Sequence, residues 1–573
     1  MNLLISKRRH ICFAVCFLLG FAMILYKCQF GFANLDESFY LTVPYRLTMG
    51  DSLFQEEWHV SQMAGFLIYP ILTLYRLFVP DTQGLFLNFR YIFTVLHALV
   101  ALLIYIRLRR HGVAAIAASV IYLLFAPFGI MALSYNSLGV GLTVISGVLL
   151  ATSSGRWYDP FLSGLAFAGA VLCSPYLVLV YVLYAAACLV CAALARAGCI
   201  SDKVQPKPIL RTLLFFTLGC VLLAGIFVVF LLSRASLSDM LRALPQILSD
   251  PEHPISGFGT TVVGYFGSIL KSNRAARYIF PLCALLAVVI LADRKPGKRR
   301  YGYFFFACLL SAIYFFCFFP ENLSLNFYLF PPAVLGIFVF LLCPEQNWRL
   351  FLFAWLPGIL YGFCLRWTSN QGFYVISMAA AVSTAASCAM VGTLISRWRA
   401  EPDCPQVMRT LLRAVPCVLL VIFVLLEGTT RYQFMFWADG TMEEMTQEIT
   451  QGTEAGLYTT PQKAQDYALL YEDTQSVRQE DQGPVLYFAL DTYLYLCDTK
   501  EFGCYSAWLS GIGDNSFQKL LTYYQLNPDK VPNIVYTLNR YAWVEEHVYD
   551  IAQQYGYAVE ETDMGYILRC LSN

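Results

Sequence analysis

Long runs of apolar residues recur along this chain and are separated by shorter polar segments. Most runs reach or approach the roughly 20 residues that an α-helix needs to cross a bilayer. Thirteen runs are found, at residues 11–30, 85–106, 113–132, 137–152, 160–175, 176–196, 212–232, 278–293, 301–320, 326–343, 349–366, 371–396 and 413–428. The fourth, fifth and eighth runs are short. The pattern predicts an α-helical polytopic membrane protein with about thirteen transmembrane helices.

Two interpretations fit the first apolar run, a cleaved signal peptide and a retained anchor. A signal peptide ends in a small-residue cleavage site. Here the run continues instead into Tyr26-Lys27-Cys28-Gln29-Phe30. We therefore expect the first run to remain in the protein as a membrane anchor.

Composition excludes a chain built around one soluble core. Hydrophobic residues make up 58% of the chain and charged residues 13%, against about 25% charged in soluble domains. From Thr429 onward there are 8 Lys and Arg against 21 Asp and Glu, and the preceding part holds 31 against 17. We therefore expect a transmembrane domain at residues 1–428 and an acidic soluble domain at residues 429–573. We expect no nucleic-acid partner.

Basic residues collect in alternate connections between the apolar runs. Lys7, Arg8 and Arg9 precede the first run, and further basic clusters follow the second, sixth, eighth and twelfth runs. Basic residues near span ends favour the cytoplasmic side of the membrane. We therefore expect a multi-pass protein of the cell membrane with a cytoplasmic N-terminus. An odd number of spans then places the C-terminal domain outside the cytoplasm.

The acidic C-terminal domain has the pattern of a small α/β fold. Strand-like runs occupy residues 485–490, 532–537, 557–560 and 565–569, and helical segments lie at 516–524 and 542–555. Its sequence contains no nucleophile elbow or phosphate-binding loop. Acceptor binding and a structural cap both remain open as its role. Cys497 and Cys504 lie close together in it, and either a disulfide or two free thiols fits.

Two connecting segments on the predicted outer side are long, at residues 31–84 and 233–277. Long connections on a compact bundle are where binding and catalytic residues concentrate. The first opens on Asp36 and Glu37, directly after the first span. A carboxylate at the mouth of a membrane cavity can accept a proton from an attacking hydroxyl, and a second acid can position it or shift its pKa. Two solvated acids following a span are the alternative.

Further candidates for substrate binding lie in polar connections. Glu56, Glu57 and His59 could hold a sugar or a divalent ion, although a solvated loop face fits them as well. Tyr135 and Asn136 could hydrogen-bond a sugar, or could belong to an ordinary turn capped at Asn136 or Ser137. The nineteen cysteines lie mostly scattered within the apolar runs, where they act as small apolar residues. We expect no cofactor, and the sequence does not indicate a metal.

Basic residues on the predicted outer side are unusual enough to be candidates for phosphate binding. Lys271, Arg274 and Arg277 end the second long segment, and Arg366 lies near the end of the eleventh run. Arg and Lys are the side chains that hold lipid phosphates. Snorkelling of long side chains to the membrane interface is an equally good interpretation of all four.

The layout resembles the GT-C glycosyltransferases, in particular the protein O-mannosyltransferase and lipid A aminoarabinose transferase type. The resemblance rests on one span, a long outer loop opening on Leu35-Asp36-Glu37-Ser38-Phe39-Tyr40, about a dozen further spans and an outer C-terminal domain. It implies that an acid of this motif is the catalytic base. It also implies a polyprenyl-phosphate sugar donor held by basic residues of the outer loops. The chain lacks the family's proline-rich pattern after the motif, so the acceptor stays open.

Three functions compete on this sequence. The leading interpretation is a membrane glycosyltransferase that moves a sugar from a polyprenyl-phosphate donor to a protein, lipid or cell-envelope glycan, with inversion. The main alternative is a polytopic transporter or a flippase of cell-envelope precursors. Such proteins tend to carry ionisable groups at mid-membrane and inverted repeats, whereas the acids here gather at the predicted outer mouth. A non-catalytic scaffold for envelope assembly is the third.

Overall fold

The computed structural model of the chain is mostly helical. It describes residues 2–32, 35–197, 199, 205–249, 257–318, 326–369, 371–435, 440–479, 483–497 and 499–571. The first nine helices are α1 (Asn2–Lys27), α2 (Asp36–Thr48), α3 (Met63–Phe78), α4 (Leu85–Leu108), α5 (Val113–Leu124), α6 (Tyr135–Ala151), α7 (Tyr158–Cys173), α8 (Val178–Arg196) and α9 (Pro206–Leu232). The next nine are α10 (Leu237–Leu248), α11 (Phe258–Leu270), α12 (Ala276–Ala292), α13 (Arg299–Phe316), α14 (Phe330–Leu342), α15 (Pro344–Leu350), α16 (Leu356–Thr368), α17 (Phe373–Ala400) and α18 (Gln406–Gln433).

Each of the thirteen predicted runs falls on a helix. Seven helical segments are long and apolar enough to cross a membrane, judged by length and composition. They are Lys7–Lys27, Leu85–His111, Pro175–Arg196, Pro206–Leu232, Pro344–Thr368, Phe373–Ala400 and Gln406–Gln433. Several more apolar helices in the described residues are shorter, so a polytopic membrane protein is supported but the count of thirteen spans is not confirmed.

The third predicted run is shorter in the structure than in the sequence pattern. It was expected at residues 113–132, but α5 ends at Leu124. Pro127 lacks a backbone N–H and disfavours helical geometry in the residue before it. The chain therefore leaves the helix and makes a short 3₁₀ turn, in which Phe128 takes a positive φ of 54°.

Helix α17 lies at the centre of the bundle, and several other apolar helices are mostly exposed at its surface. In α17, 89% of the apolar window is buried, against 17% in α1, α8, α9 and α18. The small side chains of α17, rich in Ala and Ser, let neighbouring helices approach from all sides. Helix α9 crosses α7 as closely: a methyl group added at Gly164 would lie 2.0 Å from the carbonyl oxygen of Phe216.

The two ends of the bundle are named by the residues at the ends of α1. The Arg9 end is where α1 begins, and the Asp36 end is where α1 finishes and α2 follows. The 18 helix steps from Arg9 to Lys27 rise about 27 Å, close to the thickness of a bilayer's hydrocarbon core. The two ends of the bundle are therefore separated by roughly the thickness of the hydrocarbon core of a bilayer.

Both long connecting segments contain helices. The 31–84 segment folds into α2 and α3. The 233–277 segment contains α10 and α11 among its described residues. Helix α10 begins at a cap in which the Ser236 hydroxyl accepts a bond from the Asp239 N–H. It buries Met240, Ala243 and Ile247 and exposes Leu237, Leu241 and Leu248.

The C-terminal part combines a mixed sheet with helices, which confirms a small α/β unit. Its elements are β1 (Gln447–Glu448), β2 (Tyr458–Thr459), α19 (Pro461–Gln479), β3 (Val485–Phe488), α20 (Asp514–Leu526), β4 (Ile534–Leu538), α21 (Ala542–Tyr555), β5 (Tyr557–Glu561) and β6 (Gly565–Cys570). The larger sheet has the order β3-β4-β6-β5, with β3 parallel to β4 and the other neighbours antiparallel. The predicted terminal hairpin is β5–β6. Cys497 and Cys504 are both buried and carry free thiols.

The C-terminal part is docked on the 31–84 segment through the buried Arg46. Its guanidinium donates to the carboxylates of Asp51 (2.6 Å) and Glu57 (3.2 Å) within the segment. It also donates to the Cys504 carbonyl (2.7 Å) and the Tyr523 hydroxyl (3.0 Å) of the C-terminal part. Because one buried cation serves both partners, the two regions share a single polar core.

Candidate active site

Asp36 is the first residue of α2, directly after the end of α1 at Lys27 and the short connection that follows it. The start of the helix is held from the C-terminal part by Thr492. The Thr492 hydroxyl donates to the Leu35 carbonyl (3.1 Å) and lies 2.5 Å from the Ser38 hydroxyl oxygen. The backbone that carries Asp36 is therefore fixed on both sides by a residue more than 450 positions away.

The Asp36 carboxylate is half-buried and unpaired. Within the described ranges it forms no ion pair and no hydrogen bond with another side chain. Burial raises the pKa of Asp36 from 3.8 to about 6. A carboxylate with this pKa is largely ionised at neutral pH, yet accepts a proton more readily than an ordinary aspartate.

Aromatic side chains with hydroxyl groups surround Asp36. The rings of Tyr40 and Tyr135 meet edge to face at 5.5 Å, and both tyrosines interact electrostatically with the Asp36 carboxylate. Asn136 contacts the same pair of tyrosines. The structure thus brings the sequence candidates Tyr135 and Asn136 next to Asp36.

The helix cap proposed for this turn is present, but at a different residue. The Ser134 hydroxyl accepts a bond from the Ser137 N–H (3.1 Å), and Ser137 returns a bond to the Ser134 backbone. The expected cap was Asn136 or Ser137, and of these only Ser137 takes part, as the partner of Ser134. Because Ser134 does this work, the Asn136 amide is not used by the cap.

Glu37 is committed to an ion pair and is not free to act with Asp36. Its carboxylate receives two bonds from Arg90 of α4, at 2.5 and 2.6 Å, and both side chains are buried. Arg90 also donates to the carbonyls of Cys28 (2.8 Å) and Gly31 (2.9 Å). The pair therefore ties the end of α1 to the start of α2. This geometry favours a structural role for Glu37 over the predicted catalytic one.

Glu57 is also held inside the protein, and His59 is nearly so. Besides its bond from Arg46, the Glu57 carboxylate accepts the His59 N–H at 2.9 Å. The His59 ring lies 4.4 Å from the ring of Phe39 and 2.8 Å from the Ser61 hydroxyl. His59 is 8% exposed. Glu57 therefore supports the loop, while the His59 ring packs against Phe39, which lies three residues after Asp36 in α2.

The basic candidates differ in their surroundings. Lys271, Arg274 and Arg277 are exposed at the junction of α11 and α12 and form no ion pair among the described residues. Arg366 is half-buried in α16, against Gly264 of α11, and its Nε has no hydrogen-bond partner in the part of the chain described. Its Nη1 donates to the Ser369 carbonyl (2.9 Å).

Arg366 is connected to the Asp36 neighbourhood through α16. Tyr361 of the same helix is buried and interacts electrostatically with Tyr135. Arg366 lies five residues further along, which is about 7.5 Å of helix rise. The structure therefore groups Asp36, Tyr40, Tyr135 and Asn136. Arg366 lies toward the same end of the bundle, but five helix positions turn it about 140° away from Tyr361, and it packs against Gly264 of α11. Among the described residues, neither Arg366 nor the exposed basic trio contacts this group.

Sequence reasoning missed the residues that position the site, above all Arg46, Arg90 and Lys530. The Lys530 ammonium is bonded to the Asp51 carboxylate (2.8 Å) and to Glu501 (3.1 Å). Single cations in an apolar helix or at the edge of a domain carry no sequence pattern that reveals their partners. In the case of Arg90, its place inside an apolar span was a signal, because charges there need a partner.

No metal-binding group is apparent in the residues that the structure covers. Among them, no three His, Cys, Asp or Glu side chains are placed together to hold a metal ion.

No family model and no curated protein matches the chain. Three solved structures of an Archaeoglobus fulgidus oligosaccharyltransferase are similar at low identity. The form with an inhibitory peptide and a dolichol-phosphate, named as archaeal AglB, has 11% identity and a TM-score of 0.43, over 98% of this chain and 74% of that one. The apo form has 10% identity and a TM-score of 0.46, over 97% of this chain and 74% of that one. The form tethered to an acceptor peptide with an NVT sequon has 11% identity and a TM-score of 0.42, also over 97% of this chain and 74% of that one. Likeness at these scores does not establish a fold or an activity.

Proposed function

We propose that this protein is a membrane glycosyltransferase of the GT-C type, which moves a sugar from a polyprenyl-phosphate donor to an acceptor hydroxyl. The observation that carries the proposal is Asp36. Among the described residues it is an unpaired, half-buried carboxylate with a pKa raised to about 6, at the Asp36 end of the helix bundle. Tyr40, Tyr135 and Asn136 beside it offer hydroxyl and amide groups of the kind that hydrogen-bond sugars.

The reaction would be a single displacement with inversion. Asp36 takes the proton of the acceptor hydroxyl as its oxygen attacks the anomeric carbon of the donor sugar. The bond between that carbon and the lipid phosphate breaks, and the phosphate leaves with the bonding electrons. Because a phosphate is a good leaving group, a strong general acid is not required, and cations that stabilise the departing charge suffice.

Arg366 is the basic residue best placed for this role. It lies on the helix whose Tyr361 interacts electrostatically with Tyr135, and its Nε has no hydrogen-bond partner among the described residues. Lys271, Arg274 and Arg277 are exposed at the α11–α12 junction and would meet a lipid phosphate at the membrane surface. Glu57 would support the loop rather than touch substrate, and His59 would approach the sugar from the Phe39 side.

The proposed setting follows the charge pattern of the connections. The Arg9 end would face the cytoplasm, and the Asp36 end would face outward together with the C-terminal domain. Donor, acceptor and site then meet at the outer surface of the cell membrane. The acceptor would be a protein, a lipid or a cell-envelope glycan, and the C-terminal domain, docked on the 31–84 segment, would shape its approach.

The proposal is tested by sugar transfer from radiolabelled polyprenyl-phosphate donors with purified protein in proteoliposomes. Asp36→Asn should lower the transfer rate about 10²- to 10⁴-fold, the range of general base catalysis. Asp81→Asn is the matched control, since Asp81 is an exposed acid of the same 31–84 segment, and should stay within twofold. Full activity of Asp36→Asn would remove Asp36 as the base.

The same proteoliposomes distinguish the transporter alternative. Failure of transfer with every donor, combined with uptake or flipping of a lipid-linked precursor, would favour a transporter or flippase. If Asp36→Asn loses transfer without any change in flipping, lipid flipping is excluded as the function of the Asp36 site.

A further inference from the structure

A large cavity opens at the Arg9 end of the bundle, a membrane's thickness away from Asp36. It has a volume of about 370 Å³, within the range of roughly 300–1,000 Å³ typical of ligand cavities. Its walls come from α5, α13, α14, α17 and α18. On α17 it extends from Ser387 to Arg399, which corresponds to about 18 Å of helix rise. The cavity therefore reaches more than halfway through the hydrocarbon core.

The body of this cavity is apolar. Its wall includes Ile121, Phe304, Leu335, Val391 and Phe423. Two of the three serine hydroxyl groups that line it already donate within the protein: Ser311 to the Pro331 carbonyl, and Ser387 to the Ser383 carbonyl. The third, Ser396, lies within one helical turn of Arg399. A hydrocarbon chain therefore fits the body best, because burying a polar group against a mostly apolar wall is costly.

The mouth of the cavity is strongly basic. Arg9, Arg110, Arg399 and Arg413 line it, and no Asp or Glu is among its lining residues. Across the described ranges, none of the four arginines forms an ion pair, and the buried Nε of Arg399 has no hydrogen-bond partner. Four positive charges without a counter-charge at the surface of a membrane attract an anion.

We infer that this cavity binds an anionic phospholipid, with its phosphate among the four arginines and an acyl chain in the apolar body. The inference follows from the charge complementarity of the mouth and the dry, elongated body, which together match an amphiphile with one negative head. Under the predicted orientation, this lipid belongs to the cytoplasmic leaflet. The site lies apart from Asp36 and does not depend on the proposed transfer reaction.

The assay is native mass spectrometry of delipidated protein, after incubation with phosphatidylglycerol, phosphatidylcholine or undecaprenyl phosphate. The wild-type protein should retain phosphatidylglycerol at least about tenfold more than phosphatidylcholine. The double variant Arg399→Gln/Arg413→Gln should lose most of this retention. Arg397→Gln is the matched control, because Arg397 lies on the same helix but bonds to Gln346 and does not line the cavity.

A second variant tests the acyl-chain part separately. Ala312→Phe places a ring in the apolar body without altering the arginines, and it should also reduce phosphatidylglycerol retention. The unfolding temperature in phosphatidylcholine nanodiscs establishes that each variant is folded. Equal retention of phosphatidylglycerol by wild-type and double-variant protein would overturn the inference. So would preferential retention of undecaprenyl phosphate, which would identify a polyprenyl carrier as the occupant.

Discussion

Replacing Asp36 by Asn should make the protein more stable at neutral and alkaline pH, even though it removes the proposed base. The reason is the half-buried position of the carboxylate. The unfolded chain loses the Asp36 proton near pH 3.8, whereas burial raises the pKa in the folded protein to about 6. Between these values, a rise in pH favours the unfolded state, because the unfolded state binds fewer protons there.

The size of the effect follows from the pKa shift. Each pKa unit corresponds to about 1.4 kcal/mol, so a shift of about two units sets an upper limit of about 3 kcal/mol on the destabilisation above pH 6. Partial exposure of the carboxylate to solvent lowers this value. Below pH 3.8 the side chain is neutral in both states and the cost disappears. Asn, which carries no charge, avoids the cost at every pH.

The measurement is the free energy of unfolding of both proteins in matched micelles, at pH 4, 6 and 8. The stability of Asp36→Asn relative to wild type should rise with pH and level off above pH 7, while transfer activity is lost. Asp81→Asn, which alters an exposed acid, should show no such trend. A variant that is equally or less stable than wild type at pH 8 would refute the argument that burial without a partner raises the pKa.

Other consequences of the packing are open to the same kind of test. Glu37→Gln leaves the buried Arg90 without its counter-charge and should lower the free energy of unfolding by about 3–5 kcal/mol, measured by denaturation in micelles. Gly164→Ala should lower the free energy of unfolding by about 1–3 kcal/mol, the cost of overpacking. Gly225→Ala is the control, because a methyl group there meets open space and should not destabilise the protein. Equal effects of the two substitutions would refute the close crossing of α7 and α9. Arg46→Leu should free the C-terminal part from the 31–84 segment, seen as faster limited proteolysis between the two, and unchanged proteolysis would contradict the shared core.

Much of the fold follows from the sequence because hydropathy and strand patterns are local. All thirteen apolar runs coincide with helices, and the strands at residues 485–490 and 565–569 lie where β3 and β6 are found. The early end of α5 also has a local cause in the sequence, because Pro127 disfavours helical geometry in the residue before it. Whether the shorter helices cross the bilayer depends on neighbours and tilt, which a hydropathy pattern does not record.

The site was less predictable than the fold. The sequence placed Asp36 and Glu37 together, but it could not tell them apart. Their difference arises from Arg90, 53 residues beyond Glu37, which pairs with one acid and leaves the other free. Similarly, the sequence alone does not distinguish a glutamate that binds a sugar from one that supports a loop. Only the contact with Arg46 shows that Glu57 lies in the interior of the loop.

The docking of the C-terminal part on the 31–84 segment has a consequence for biosynthesis. The contact between Ser38 and Thr492 spans 454 residues, so α2 is translated long before the residues that fix it. At about 5–20 residues per second, the wait is roughly 20–90 s. Throughout that interval the segment carrying Asp36 has emerged without its final partner. The acid is thus among the first polar groups to be synthesised and among the last to be set in place, and a prematurely terminated chain would hold it unanchored.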